Sequence, residues 1–339
     1  MAHSTARRLY EASRSSSKVA VIVAAYNVAE TVGKAVRSAL AQPETAEVVV
    51  VDDASQDHTH LAAKEAAGSD PRLTVIRNDR NLGPARSRNI AINETFSPYI
   101  AILDGDDYFL ERRFQRMFAE PDWDFCADNI IFFKDESQIE AACAPFGLPG
   151  LVPMKLDLKA FVLGNIPDSK RPRAELGFLK PVMRRGFLQE HNLVYAEECR
   201  LGEDFLFYTE ALMRGARYTV LPGCGYAALV RENSLSGHHS LGDLKALHNR
   251  ELQICRNPNL ALHERGLLKQ RARSTLRRIH HREVLARKAS GGSLLGVAAG
   301  LIRPTSFVDI FRDRMRKSGS LPGPSLPRSL LQTSQFMLM

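Results

Sequence analysis

Two short acidic clusters, each closing an apolar run, hold the residue types best suited to chemistry. The first is Val48-Val49-Val50-Val51-Asp52-Asp53-Ala54-Ser55, and the second is Tyr99-Ile100-Ala101-Ile102-Leu103-Asp104-Gly105-Asp106-Asp107. A continuous β-branched run reads as a strand buried in a parallel sheet. The C-terminal ends of such strands form the mouth where α/β proteins bind ligands. Carboxylates crowded there repel one another, and a divalent cation or a hydrogen-bonding ligand relieves that repulsion. The pair therefore predicts a nucleotide and metal site. In Asp104-Gly105-Asp106-Asp107, Mg²⁺ or Mn²⁺ would bridge carboxylate and diphosphate oxygens. Gly105 is expected to let the chain turn so that Asp104 and Asp106 converge.

Other phosphate-binding devices are missing. Ala24-Ala25-Tyr26-Asn27 follows the first strand where a dinucleotide enzyme needs G-x-G-x-x-G, and no G-x-x-x-x-G-K-[ST] occurs. A dehydrogenase or P-loop NTPase is thereby disfavoured. The five cysteines are widely spaced without a C-x-x-C pair, which points away from zinc ribbons and disulfide frameworks and towards a reducing cytoplasm. They are expected to be small core residues. The first residues lack the apolar core of a signal peptide, and Leu294 to Ile302 is too short to span a bilayer.

The elements that must carry the acidic clusters alternate regularly. Strands are expected at 18–25, 48–51, 73–77 and 99–103, with helices at 29–41, 59–67 and 85–93, the last opened by Pro84 at its first position. This βαβαβαβ order implies a mostly parallel, Rossmann-like central sheet with right-handed crossovers, flanked by helices. Further on, a strand is expected within 123–133, a helix from Phe205 to Arg214, and short strands at 218–221 and 226–230. Trp123 is expected in the core.

The chain is ordinary for a soluble globular protein, with 44% hydrophobic and 25% charged residues. Its net charge of +8 is uneven, because residues 241–317 hold 17 Lys and Arg against 6 Asp and Glu. That segment reads as a basic, α-helical C-terminal region, either a solvated face or one turned to phosphates. The expected organisation is a flexible leader over 1–17, an α/β domain over 18–240 (a nucleotide-binding half, 18–110, and an acceptor half, 111–240), the basic region over 241–317, and a disordered tail over 318–339.

Five segments in order resemble the motifs of the family 2 inverting glycosyltransferases with a GT-A fold: Val21 to Asn27, Val51 to Ser55, Asn81 to Asn89, Leu103 to Asp107, and Gly202-Glu203-Asp204. The resemblance spans about residues 18 to 235. It implies that Ala25, Tyr26 and Asn27 line the nucleotide-base pocket, although the family often has Pro where Ala25 stands. It implies that Asp53 accepts a hydrogen bond from the base and that Asp52 supports the loop. Asp104 and Asp106 match the DxD motif, with Asp106 the direct metal ligand and Asp104 at the ribose or metal. Arg86 and Arg88 lie near the donor, and one of them is expected to reach phosphate or sugar. Asp204 matches the general base, with Glu203 beside it in the substrate site. Acidic residues at a helix start also have a plain structural use. Some relatives of this fold place a C-terminal His on the metal, a role open to His238 or His239, for which a polar surface loop is the simpler reading.

Gly177 to Arg185, followed by Glu203-Asp204, is similar to glucosyltransferases of bacterial succinoglycan-type exopolysaccharide synthesis. That implies UDP-glucose as donor, a polyprenyl-diphosphate-linked oligosaccharide as acceptor, and Mn²⁺ or Mg²⁺ as cofactor. The enzyme would be cytoplasmic and peripheral on an anionic membrane surface through its basic region, with no nucleic-acid partner. The competing readings are another UDP-sugar used in lipopolysaccharide or capsule synthesis, a nucleotidyltransferase, and a non-catalytic binding module. A nucleotidyltransferase would usually carry a Gly-rich basic loop after the first strand, and Ala24-Ala25-Tyr26-Asn27 has neither feature.

Overall fold

The computed structural model describes residues 17–167, 175–230, 239–289 and 326–337. The nucleotide-binding half alternates as expected: β1 (Val19–Ala25), α1 (Ala29–Leu40), β2 (Thr45–Asp52), α2 (Thr59–Ala67), β3 (Leu73–Arg77), α3 (Pro84–Asn93) and β4 (Tyr99–Asp104). Then follow β5 (Tyr108–Phe109), α4 (Arg113–Ala119), β6 (Phe125–Phe133), α5 (Ile139–Cys143), β7 (Met154–Leu156) and α6 (Leu158–Gly164). The acceptor half continues with β8 (Val182–Arg184), α7 (Arg185–Glu190), α8 (Glu203–Met213) and β9 (Tyr218–Leu229). Last come α9 (Leu241–Cys255), α10 (Leu262–Ala289) and β10 (Arg328–Ser329).

One ten-stranded sheet runs β3-β2-β1-β4-β8-β6-β9-β5, with β7 on β9 and β10 on β6. β1 to β4 are mutually parallel, β6 and β9 are parallel, and β8 is antiparallel to both β4 and β6. The two expected halves thus share a single sheet, with β8 joining them. Val19 to Val23 and Ile100 to Leu103 are fully buried, as a strand covered on both faces requires. Trp123 is in the core, with its indole N–H on the carbonyls of Met117 and Glu120. No cysteine is disulfide-bonded, and all but the half-buried Cys143 are buried.

Three expectations change. The short strands at 218–221 and 226–230 are one strand, β9, whose pairing with β6 shifts register around Asn129. Pro222 and two glycines mark that irregularity, where a missing ladder bond is tolerated. Gly225 is required there, because a Cβ would overlap the Asp128 carboxylate and the Arg113 side chain, which form a fully buried ion pair at 2.9 Å. Gly225→Ala is expected to cost about 3 kcal/mol in urea unfolding. Unchanged stability would contradict the tight packing of that pair.

Among its described residues, 241–289, the basic region is two helices, broken after Cys255 at Asn257-Pro258. They pack behind α8: Arg271 lies 4.6 Å over the Phe205 ring and Arg250 pairs with Glu210 at 2.8 Å. The third change is the tail. Residues 326–337 are ordered, with β10 antiparallel to β6 and Leu330, Leu331 and Phe336 buried. Those apolar anchors offset the ordering entropy that a Ser/Pro-rich composition led us to expect would win. The leader residues 1–16, the apolar stretch 294–302 and His238 lie outside the described residues.

Candidate active site

β1 places the two acidic clusters side by side. Ala25 lies opposite Asp52 on β2, and Ala24 lies opposite Asp104 on β4. Both clusters therefore emerge at the same edge, where the strand order turns outward from β1.

At the first cluster, Asp52 is fully buried and accepts a bond from the Ser55 N–H at 3.0 Å, the loop-supporting geometry expected of it. Asp53 has a structural task that its sequence did not reveal. Its carboxylate accepts bonds from Asn78 Nδ2, Leu82 N–H and Gly83 N–H, each at 2.8 Å. Three of its roughly four acceptor positions thus fasten the loop that opens α3. Asn27 and Ala54 face each other across the mouth, both with left-handed backbone. Asn tolerates that conformation, and here its N–H donates to Ser55 Oγ while its Oδ1 accepts from the Gln56 N–H. Beside this loop pair opens a cleft of about 640 Å³, lined by Ala54, Ser55, Gln56, Arg77, Asn78 and Asp79.

At the second cluster, the Asp107 N–H bonds the Asp104 carbonyl and closes a tight turn. Gly105 is needed there for space rather than for an unusual φ: a Cβ would meet Val28 at 3.0 Å and Ala25 at 3.3 Å. Asp107 faces the protein, accepting from Tyr226 Oη–H at 2.8 Å and from the Leu229 N–H. Burial, and then the charges of Asp106 and Asp104, push its carboxyl pKa well up.

The centre of the site is a buried charge cluster of three carboxylates and two cations. Arg88 Nη1 meets Glu203 at 2.8 Å and Asp204 at 3.0 Å, and its Nη2 meets Asp104 at 2.8 Å. Lys180 Nζ bridges the other oxygens of Asp204, at 2.7 Å, and of Asp104, at 3.0 Å. Burial alone would lower the Lys180 pKa, but the flanking Asp104 and Asp204 more than offset it and raise it. Burial works to raise the Asp104 pKa, and Lys180 and Arg88 hold it well below the usual range. Glu203 goes the other way, because its burial outweighs the pull of Arg88.

Asp204 is not spent on capping its own helix. Gly202 is the N-cap of α8, in left-handed backbone, and no side-chain cap bond forms. The Asp204 carboxylate instead points across the sheet mouth to Arg88 and Lys180. Of the two arginines expected near the donor, only Arg88 enters the cluster. Arg86 pairs at the surface with Glu197 at 2.5 Å. Residues two apart on a helix do not share a face, so α3 cannot aim both inwards. Lys180 is a member of the cluster that sequence reasoning misses. Its signal was a lone lysine in the apolar run Phe178-Leu179-Lys180-Pro181-Val182, since a buried charge needs partners.

Asp104 and Asp106 are the carboxylates expected to hold a divalent ion. Both oxygens of Asp104 are engaged by protein cations, and Asp106, two residues on, is half-buried. Among the described residues no group of three His, Cys, Asp or Glu side chains could hold a metal.

Residues 20–140 match the family model described as Glycosyl transferase family 2. The chain is 40% identical over 327 residues to the succinoglycan biosynthesis protein ExoU of Rhizobium meliloti, covering 93% of this chain and 95% of that protein. A shorter stretch of 93 residues is 38% identical to the UDP-Glc:alpha-D-GlcNAc-diphosphoundecaprenol beta-1,3-glucosyltransferase WfaP of Escherichia coli, covering 27% of this chain and 36% of WfaP. Among solved structures, S. aureus TarS 1-349 in complex with UDP-GlcNAc has a similar fold, with a TM-score of 0.57 at 21% identity over 74% of this chain and 70% of that one.

Proposed function

The chain belongs to glycosyl transferase family 2, and from that premise we propose that it moves glucose from UDP-glucose to a hydroxyl of a polyprenyl-diphosphate-linked oligosaccharide, with inversion, in bacterial exopolysaccharide synthesis. The observation that carries this reading is the convergence of Asp104 and Asp204, 100 residues apart in sequence, on the same pair of cations. One carboxylate belongs to the donor side of the sheet and the other to the acceptor side. The names of ExoU and WfaP support the polymer, the donor and the lipid-linked acceptor.

In this reading the base occupies the cleft beside Tyr26, Asn27 and Asp53. Asp204 takes the proton of the acceptor hydroxyl as its oxygen attacks the anomeric carbon, on the face opposite the departing UDP. Arg88 and Lys180 fix the Asp204 carboxylate at both oxygens, so that it meets the hydroxyl in one orientation. They also add positive charge near the bond that breaks. A divalent ion held by Asp106, with Asp104 behind it, supplies neutralisation of the diphosphate when bound. One displacement inverts the centre, so the α-linked donor gives a β-glycoside. Glu203 steadies Arg88 through its 2.8 Å contact with Nη1.

A UDP-release screen tests the proposal, using UDP-glucose, UDP-galactose, UDP-glucuronate and UDP-N-acetylglucosamine with Mn²⁺ and a diphosphate-linked acceptor. Acceptor-dependent UDP release from UDP-glucose is expected. Pyrophosphate released from a nucleoside triphosphate instead would favour the nucleotidyltransferase.

The basic helices fit a peripheral place on an anionic leaflet. Lys269, Arg273 and Arg282 are exposed on α10, and each basic residue near such a surface contributes about 1 kcal/mol. No helix among the described residues is long and apolar enough to cross a membrane. Co-sedimentation with phosphatidylserine vesicles is expected at low salt and is expected to be lost at 0.5 M NaCl, where the Debye length shrinks to about 4 Å. Failure to co-sediment at low salt would remove the membrane role.

A further inference from the structure

The ordered tail lies on the acceptor side of the sheet mouth. β9 pairs along the whole of β6, so β8 and β10 share the other edge of that strand. β8 takes only its beginning, Phe125 and Cys126. β10 takes its end, with Arg328 opposite Phe132 and Ser329 opposite Ile131. Because β8 is antiparallel to both β4 and β6, the end of β6 lies on the same side of the sheet as Asp104. Asn129 clasps the tail there, donating to the Leu331 carbonyl at 3.0 Å and accepting from its N–H at 2.9 Å.

Three elements bring a compact surface together at this place. The Phe178 ring sits edge-on to Phe132, with centroids 6.3 Å apart, and the Arg328 guanidinium lies 4.3 Å over the Phe132 ring. Phe178 is tied to the catalytic cluster on both sides. Gly177 packs so closely on Phe205, the residue after Asp204, that a Cβ would sit 3.2 Å away, and Lys180 grips Asp204 itself. Phe178 nonetheless stays 38% exposed, in a domain that buries most of its aromatic rings.

We propose that Phe178, Phe132 and Arg328 form an acceptor subsite that takes a pyranose ring of the acceptor saccharide. The proposal rests on the glycosyl-transfer reading above and names where that reaction's acceptor is held. A pyranose presents an apolar C–H face and a rim of hydroxyls. An exposed aromatic ring matches the face, and a guanidinium stacked on the neighbouring ring keeps its five donors for the rim. Pockets for small polar ligands commonly pair aromatic walls with a few placed polar groups. The tail strand thereby contributes a binding side chain as well as covering the exposed edge of β6.

Initial-rate kinetics on the full chain with Mn²⁺ test this, with UDP-glucose as donor and a glucose disaccharide linked through diphosphate to an undecyl chain as acceptor. Phe178→Ala and Arg328→Ala are each expected to raise the acceptor KM about tenfold, a loss of about 1.4 kcal/mol. The donor KM and the melting temperature are expected to stay near wild type, and Phe178→Trp is expected to restore the acceptor KM. An unchanged acceptor KM overturns the proposal. So does an equal rise in the donor KM, or a faster reaction in Arg328→Ala, which would make the tail a barrier. If the unaltered chain releases no UDP from any UDP-sugar, the glycosyl-transfer reading itself fails, which separates the two outcomes.

Discussion

Asp204→Asn is expected to lower kcat about 10²- to 10⁴-fold, the range a positioned general base contributes, with the donor KM little changed. The amide keeps the volume of the carboxylate and one acceptor oxygen for Arg88 or Lys180, so the fold should survive. What it loses is the ability to take a proton from the acceptor hydroxyl. The side chain stands at the first turn of α8, makes no cap bond to its own helix and is held by two cations. Steady-state kinetics with UDP-glucose and a diphosphate-linked acceptor check this. Full transfer activity in Asp204→Asn would remove the base assignment and leave the fold untouched.

Arg88→Met is expected to be the most destabilising change at the site. Arg88 is almost fully buried and contacts Asp104, Glu203 and Asp204, so its removal leaves Asp104 and Asp204 with Lys180 alone and takes from Glu203 its paired cation. Breaking a buried ion pair by deleting one partner costs about 3–5 kcal/mol. At about 2–4 °C per kcal/mol for a domain of this size, the melting temperature should fall on the order of 10 °C. Methionine fills much of the same space, so the loss reports charge rather than a cavity. The double variant Arg88→Met with Glu203→Gln should recover part of the loss, because contacting residues are energetically coupled. A melting temperature within a degree or two of wild type would mean that the cluster is solvated and not a closed network.

Much of the donor half was legible from local pattern. β-branched runs, helical spacing and Pro84 marked each element from β1 to β4 closely, because each buries a face whose period shows in the sequence. The acidic strand ends were readable because each closes a buried strand, whereas Arg88 and Asp204 were singled out only by the resemblance to family 2 motifs. Long-range contacts left no such local trace. Lys180 looks like an interruption in an apolar segment until β8 is inserted between β4 and β6, which sets it between Asp104 and Asp204. Arg86 and Arg88 look equivalent until the phase of α3 separates them. The bonds from Asp53 to Leu82 and Gly83 are to backbone, which no side-chain pattern encodes. The docking of the tail depends on Asn129, some 200 residues away, so composition alone favoured disorder. Gly105 was rightly seen as necessary but for a different reason, the close approach of Val28 and Ala25 rather than freedom of φ.

The most direct measurement of the central claim is the anomeric configuration of the product. UDP-glucose labelled with ¹³C at the anomeric carbon is incubated with the protein, Mn²⁺ and a diphosphate-linked acceptor, and the new glycoside is read by NMR. Single displacement with Asp204 as base predicts one UDP per bond formed and a β-linked glucose. An α-linked product, or transfer without UDP release, would contradict it.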